Sequence, residues 1–299
     1  MRKRLSIVAA VLAVALVAGP ALADWYPWDP YKYKQLPDGD VHYEPPLGLP
    51  YPTAVAVDIS DQMMADDFPC QAYGTVTKLH FWGNWEGGGP PNLPLQFTGF
   101  RIGFHTDIPA IPGQKPSQPG QELWMEDVPM SYIQTRPRTW TIGHWYDPFT
   151  TDPNHWRAVQ ATIHEFNVDL ETYAKDNGIP LFIQEGTRQQ PVTYWLSLQG
   201  LYFGGAPEGS RLGWVTTSLS QGWNDDATWI LPAQYTGGGA DPWTDIKYQV
   251  YSGVRHPWTP QSMNMSFVLV TRESVPIPEP AGLGLFGVAL LVVRRRRRT

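Results

Sequence analysis

The chain has 299 residues, 42% of them hydrophobic and 17% charged, with a formal net charge of −6. Eight of its 22 basic residues lie at the two extremes, so Asp24 to Val293 carries 14 basic against 28 acidic residues, a net charge of −14. An acidic body of this kind repels nucleic acid and anionic lipid, and Cys70, the single cysteine, excludes an intrachain disulfide.

At the N-terminus, Arg2, Lys3 and Arg4 form a basic segment, Leu5 to Ala18 an apolar one, and Ala21-Leu22-Ala23 a small-residue cleavage site. This order predicts a signal peptide over residues 1–23, cut by signal peptidase after Ala23, and hence export. Residues 24–52 place Trp25, Tyr26, Trp28, Tyr31 and Tyr33 among prolines, which predicts an N-terminal arm without regular structure. Its aromatics would pack on the following domain or engage a partner.

From residue 53 to 274 the dominant period is two. Phe100, Ile102 and Phe104 alternate with Arg101, Gly103 and His105; Val76 to Trp82, His164 to Leu170, Tyr194 to Leu198 and Met263 to Val270 behave alike, and all read as strands. Asp169 to Asn177, ahead of Gly178, predicts one short helix. With 30 prolines and 28 glycines between short strands, the expected fold is all-β: an antiparallel β-sandwich of jelly-roll type with long loops. Cys70 is expected as a small buried apolar residue.

Two constellations suggest binding. Adjacent acids at Asp66-Asp67 and Asp225-Asp226 are the ligand type that Ca²⁺ prefers; the expectation is no cofactor, with Ca²⁺ as the one alternative. Alternation sends Asp66 and Asp67 to opposite faces of a strand, so one of them at most would join Asp225 and Asp226 around an ion. The other reading of these acids is capping of turns. Fourteen tryptophans suit the apolar faces of sugar rings. Trp82, Trp195 and Trp214 alternate within strands and read as core, whereas Trp85, Trp145, Trp156 and Trp223 lie beside turn signals and are the candidate glycan platforms.

Enzymatic motifs fail on context. His164-Glu165 is followed by Val168 where a zinc protease needs a second histidine, and the segment reads as strand. Gly282 to Gly287 matches a dinucleotide fingerprint inside an apolar run with no strand before it. The scattered acids leave a glycosidase pair open, and the expectation is a protein that is not an enzyme.

The C-terminal residues 275–299 combine Pro278-Glu279-Pro280, an apolar run from Ala281 to Val293, and Arg294 to Arg298. The run, about 20 Å long as a helix, falls short of the ~30 Å hydrocarbon core. The arginines hold the extreme terminus in the cytoplasm. This tail resembles the PEP-CTERM sorting signal, which implies recognition and removal by an exosortase and a protein that is secreted or displayed on the cell surface. A permanent single-span anchor is the alternative. In the body, Ala65-Asp66-Asp67-Phe68, Phe104 to Pro109, Phe182 to Thr187, Tyr194-Trp195-Leu196 and Trp223 to Ala227 are similar, in that order, to an uncharacterised domain of secreted bacterial proteins. The expected function is a non-enzymatic surface or matrix protein that binds exopolysaccharide, or else a structural or protein-adhesive one. Its partners would be signal peptidase, exosortase and the membrane during export, with no nucleic acid.

Overall fold

The computed structural model describes residues 31–271, apart from 40, 45–48, 88–95, 150–155, 208, 224–226, 248–249, 252–253, 256–260 and 262. The signal segment with Ala23, and the tail with Pro278, Glu279 and Pro280, lie outside the described residues. Among those described, no helix is long and apolar enough to cross a membrane.

The chain folds as an all-β protein around two main sheets. One has six strands in the order β16 (Thr244–Asp245), β15 (Thr228–Ile230), β5 (Met63–Cys70), β13 (Val192–Tyr202), β8 (Phe97–Ile108) and β9 (Gln118–Pro129). The other has seven: β1 (Tyr33–Gln35), β19 (Phe267–Val270), β7 (Lys78–Trp85), β11 (Trp156–Asp169), β10 (Ile133–Tyr146), β4 (Val55–Asp58) and β14 (Leu212–Val215). Strand alternation decides what lies between them. Phe100, Ile102 and Phe104 of β8 and Tyr194, Leu196 and Leu198 of β13 share a buried cluster with Phe81, Phe166, Phe267 and Leu269 of the opposite sheet. Edge-on ring pairs cross the gap, Phe81 to Phe100 at 4.8 Å and Phe68 to Phe267 at 5.8 Å between centroids. Each such ring, fully buried, contributes roughly 2–3 kcal/mol.

Two features depart from the antiparallel jelly roll expected from the sequence. β10 and β4 pair in parallel, and β14 pairs with both β4 and β7. The strands β7, β11, β10, β4 and β14 therefore close into a five-stranded ring. Closure leaves a narrow interior that needs filling. Ala56, Trp82, Trp145, Ala161, Ile163 and Val215, which include at least one residue from every ring strand, form the buried cluster that fills it. Gly213 has no side chain because there is no room for one: a Cβ there would lie 2.9 Å from both the Trp145 ring and the Ala56 Cβ.

The N-terminal arm also differs. Despite its prolines, Tyr33 to Gln35 adds β1 to the edge of the seven-stranded sheet, and β2 (Val41–Glu44) pairs with β3 (Leu49–Pro52) as a hairpin. An edge strand tolerates nearby proline because one of its hydrogen-bonding sides faces away from the ladder. Of the two arm aromatics named above that are described here, Tyr33 packs its ring against Phe68 and Phe267 on its own domain, whereas Tyr31 is exposed with Lys34 Nζ 4.5 Å over its ring.

The predicted helix is present as α1 (Leu170–Asn177). Asp169 accepts a hydrogen bond from the Thr172 backbone N–H, and Gly178 ends the helix in the left-handed region at φ 67°. That turn, followed by Pro180, throws the chain back toward β8 and places residues 181–184 beside the six-stranded sheet. There Ile183 and Gln184 form β12, paired with β6 (Gly74–Thr75). Val250–Tyr251 and Val254–Arg255, β17 and β18, form one further small hairpin.

Candidate functional site

The predicted sites resolve differently. Trp85 is 2% exposed, packed edge-on to Phe97 at 5.0 Å, and Trp145 is 2% exposed within the ring, so neither ring offers a face to a ligand. Turn signals beside them mark where their strands end; ring closure and sheet packing cover the rings themselves. The backbone of Trp156 opens β11, but its side chain lies outside the described residues. Trp223 is 38% exposed, and its backbone N–H donates to Gln35 Oε1, which pins this loop to β1.

Asp66 and Asp67 take opposite faces of β5, as alternation requires, and both are fully buried. The Asp66 carboxylate accepts from Gln35 Nε2 at 2.9 Å, Met265 N at 2.7 Å and Asp67 N at 3.1 Å. Burial, then the neighbouring Asp67, holds its carboxyl well above the usual carboxylate range. Asp66 thus ties β5 to β1 and to the segment entering β19, a structural cross-link between the two sheets. Asp225 and Asp226 lie outside the described residues, and among those described no three His, Cys, Asp or Glu side chains are placed to hold a metal ion. Cys70 is buried, as expected, with its thiol donating to the Ala72 carbonyl.

Other ionisable groups are committed to partners inside the protein. Arg211 sits among Asp58 at 3.1 Å, Asp147 at 2.7 Å and Asp61. Burial pushes the Asp58 carboxyl up to about 7, against the opposing pull of Arg211. Glu165, buried on β11, is held by Arg138 and lies 3.4 Å from His80. His105 Nε2 meets Ser197 Oγ at 2.8 Å on the outer face of the six-stranded sheet, beneath the rings of Tyr235 and Trp243. Burial lowers the His105 imidazole to about 4, so it is neutral at pH 7. With both side chains sealed from solvent, this Ser-His pair has no path to a substrate.

A ligand-sized concavity lies elsewhere among the described residues. A cleft of about 700 Å³ opens between the end of β8, the middle of β9, the segment 180–185 and the start of β13. Its floor is aromatic. Phe182 stacks on Phe104 with centroids 4.3 Å apart and meets Tyr194 edge-on at 5.3 Å. Trp124 Nε1 donates to the Pro180 carbonyl and locks the returning chain in place. Around it, Leu123, Ile183 and Val192 stand exposed. Asp107 and Glu185 supply the carboxylates; Asp107 accepts from Trp195 Nε1 at 2.9 Å, and the Glu185 N–H donates to the Tyr194 hydroxyl. An indirect signal of this place lies in three of the segments that resemble the secreted bacterial domain, since Phe104 to Pro109, Phe182 to Thr187 and Tyr194 to Leu196 meet here. Leu123 and Val192 carry no local signal, because an exposed aliphatic and a buried one look alike in a strand.

Residues 31–270 match the model of a family described as a domain of unknown function, DUF7901. The chain belongs to that family. The matched span begins with β1 and ends with β19, so in the DUF7901 domain the edge strand and the final core strand are both included. No curated protein and no solved structure matches the chain.

Proposed function

We propose that this DUF7901 protein is a non-enzymatic protein of the cell surface or extracellular matrix. It is exported by its signal peptide and sorted by a PEP-CTERM tail that an exosortase removes, and its β-domain serves as a structural and binding module. The topology rests on the order of segments at the two termini. Recognition over catalysis rests on one observation: the described acids and histidines with shifted or buried side chains are engaged inside the fold, whereas the ligand-sized cleft is lined by aliphatic and aromatic groups with two carboxylates. Such a lining suits a partner with an apolar surface. That favours the structural or protein-adhesive reading.

Glycan binding is the second reading, and the exposed Trp223 ring supports it. Intact-mass analysis of the protein recovered outside cells tests export and sorting together. The expected mass begins at Asp24 and lacks the residues beyond the Pro278-Glu279-Pro280 motif; full-length protein in the cytosol would sink the proposal.

A further inference from the structure

The cleft lies where the six-stranded sheet comes apart. β13 pairs with β5 from Val192 onward, but its ladder with β8 starts only at Tyr194, opposite Thr106. β8 runs on through Asp107 and Ile108, paired there with β9. Successive residues of an antiparallel strand turn their N–H and C=O groups to alternate sides. One of Val192 and Thr193 therefore presents both groups toward β8 at a point where the β8 ladder has already ended. Such a length of strand edge is a template for an added strand.

β9 is irregular at the same place. Phe104 faces Trp124 and His105 faces Glu122, so Leu123 has no residue opposite it. This bulge releases Leu123 from the ladder, and its side chain stands 45% exposed in the cleft that Ile183 and Val192 also line. Asp107 is held in place by the indole N–H of the fully buried Trp195, and none of the described residues lining the cleft is basic. By alternation Asp107 shares the outer face of the sheet with His105 and Trp195, whereas Val192 shares the core face with Tyr194. The notch is thus acidic toward one face and aliphatic toward the other.

We propose that this notch binds an extended segment of another protein, in which basic and aliphatic residues alternate, as a strand added to the start of β13. Its aliphatic side chains lie against Leu123, Ile183 and Val192, and a lysine or arginine meets Asp107, with Glu185 at the rim. In strand addition, main-chain hydrogen bonds supply affinity and alternate side chains supply the choice of partner. A second copy of this chain is a poor occupant, because bodies of net charge −14 repel one another. The inference rests on the protein-adhesive reading of the cleft and gives its partner a chemistry.

Fluorescein-labelled hexapeptides titrated with the purified protein and read by anisotropy test it. The probe alternates lysine and valine. It should bind, whereas counterparts with glutamate for lysine or serine for valine should not. N-methylation of its valines or of its lysines blocks the N–H groups along one edge at a time, and one of these two patterns should abolish binding. Asp107→Asn, and separately the double variant Ile183→Ser and Val192→Ser, should each weaken the probe about tenfold. Glu171→Gln, the same change of charge on α1, should leave it unaltered. Unchanged melting temperatures certify that the variants are folded, and the methylated peptides test the native protein itself. Failure of the probe to bind, equal binding of the serine peptide, indifference to both methylation patterns or full affinity in both cleft variants would overturn the inference. So would a dimer of the wild type that the double variant abolishes. Binding of a neutral apolar dye in the cleft without binding of the probe would sink the inference alone, and none of these outcomes bears on the mass test of export.

Discussion

In the five-stranded ring, Trp82 and Trp145 are sealed inside a closed sheet, while at the cleft Leu123, Ile183 and Val192 stand in solvent around an aromatic floor. Both places are built from strands with the same alternating pattern. What separates them is pairing: β14 bonds on both sides and closes the ring, whereas at the cleft the end of β8, the middle of β9 and the start of β13 meet the segment 180–185 and leave side chains exposed. Hydrophobic side chains thus serve stability where the sheet closes and remain available to a partner where it does not.

The sharpest way to break this comparison is Trp145→Ala. Emptying the ring should destabilise the protein by about 3–5 kcal/mol, because the surrounding strands cannot collapse fully into the space. Trp223→Ala, by contrast, should cost within about 0.5 kcal/mol, since its ring is partly exposed. Urea unfolding of both variants checks the pair; similar losses would mean that the ring is not a packed core.

Much of this contrast was legible beforehand, and the missing part has one physical origin. Period-two alternation located the strands at Phe100 to Phe104 and Tyr194 to Leu198, and Asp169 with Gly178 bracketed the helix through their capping chemistry. Alternation also separated Asp66 from Asp67 correctly. It cannot say which strands pair across a hundred residues, and so the parallel β10–β4 contact and the ring were invisible, along with the burial of Trp85 and Trp145. β1 was hidden for a related reason: three residues among prolines carry no period, and their strand exists only because β19 offers an open edge.

Titration should separate the same two regions with opposite signs. Asp58, at the end of ring strand β4, is raised to about 7, so the folded state holds its proton between the unfolded value of 3.8 and about 7. Its contribution is present at low pH and is lost as pH rises through that window. Asp58→Asn should therefore gain on the wild type from pH 4 to 8, by up to about 4 kcal/mol. His105, in strand β8 that ends at the cleft, is lowered from 6.5 to about 4, so its contribution is present above 6.5 and lost as pH falls toward 4. His105→Gln should remove a loss of roughly 3 kcal/mol over that range. Urea midpoints at pH 4, 5.5 and 8 report both, and slopes of the same sign in the two differences would contradict the burial assigned to one of them.

The smallest stability effect belongs to the cleft. Ile183→Ser and Val192→Ser alter side chains that are 45% and 37% exposed, so each should leave stability within about 0.5 kcal/mol. Their effect should appear instead in the affinity for a neutral apolar probe. Nile red, whose emission rises in apolar surroundings, should brighten with the wild type and much less with the double variant, while the Trp145→Ala protein, if assayed below its unfolding transition, keeps the cleft signal. Equal brightening with and without Ile183 and Val192 would show that this surface is merely exposed, and the distinction between a sealed ring and an open cleft would lose its functional meaning.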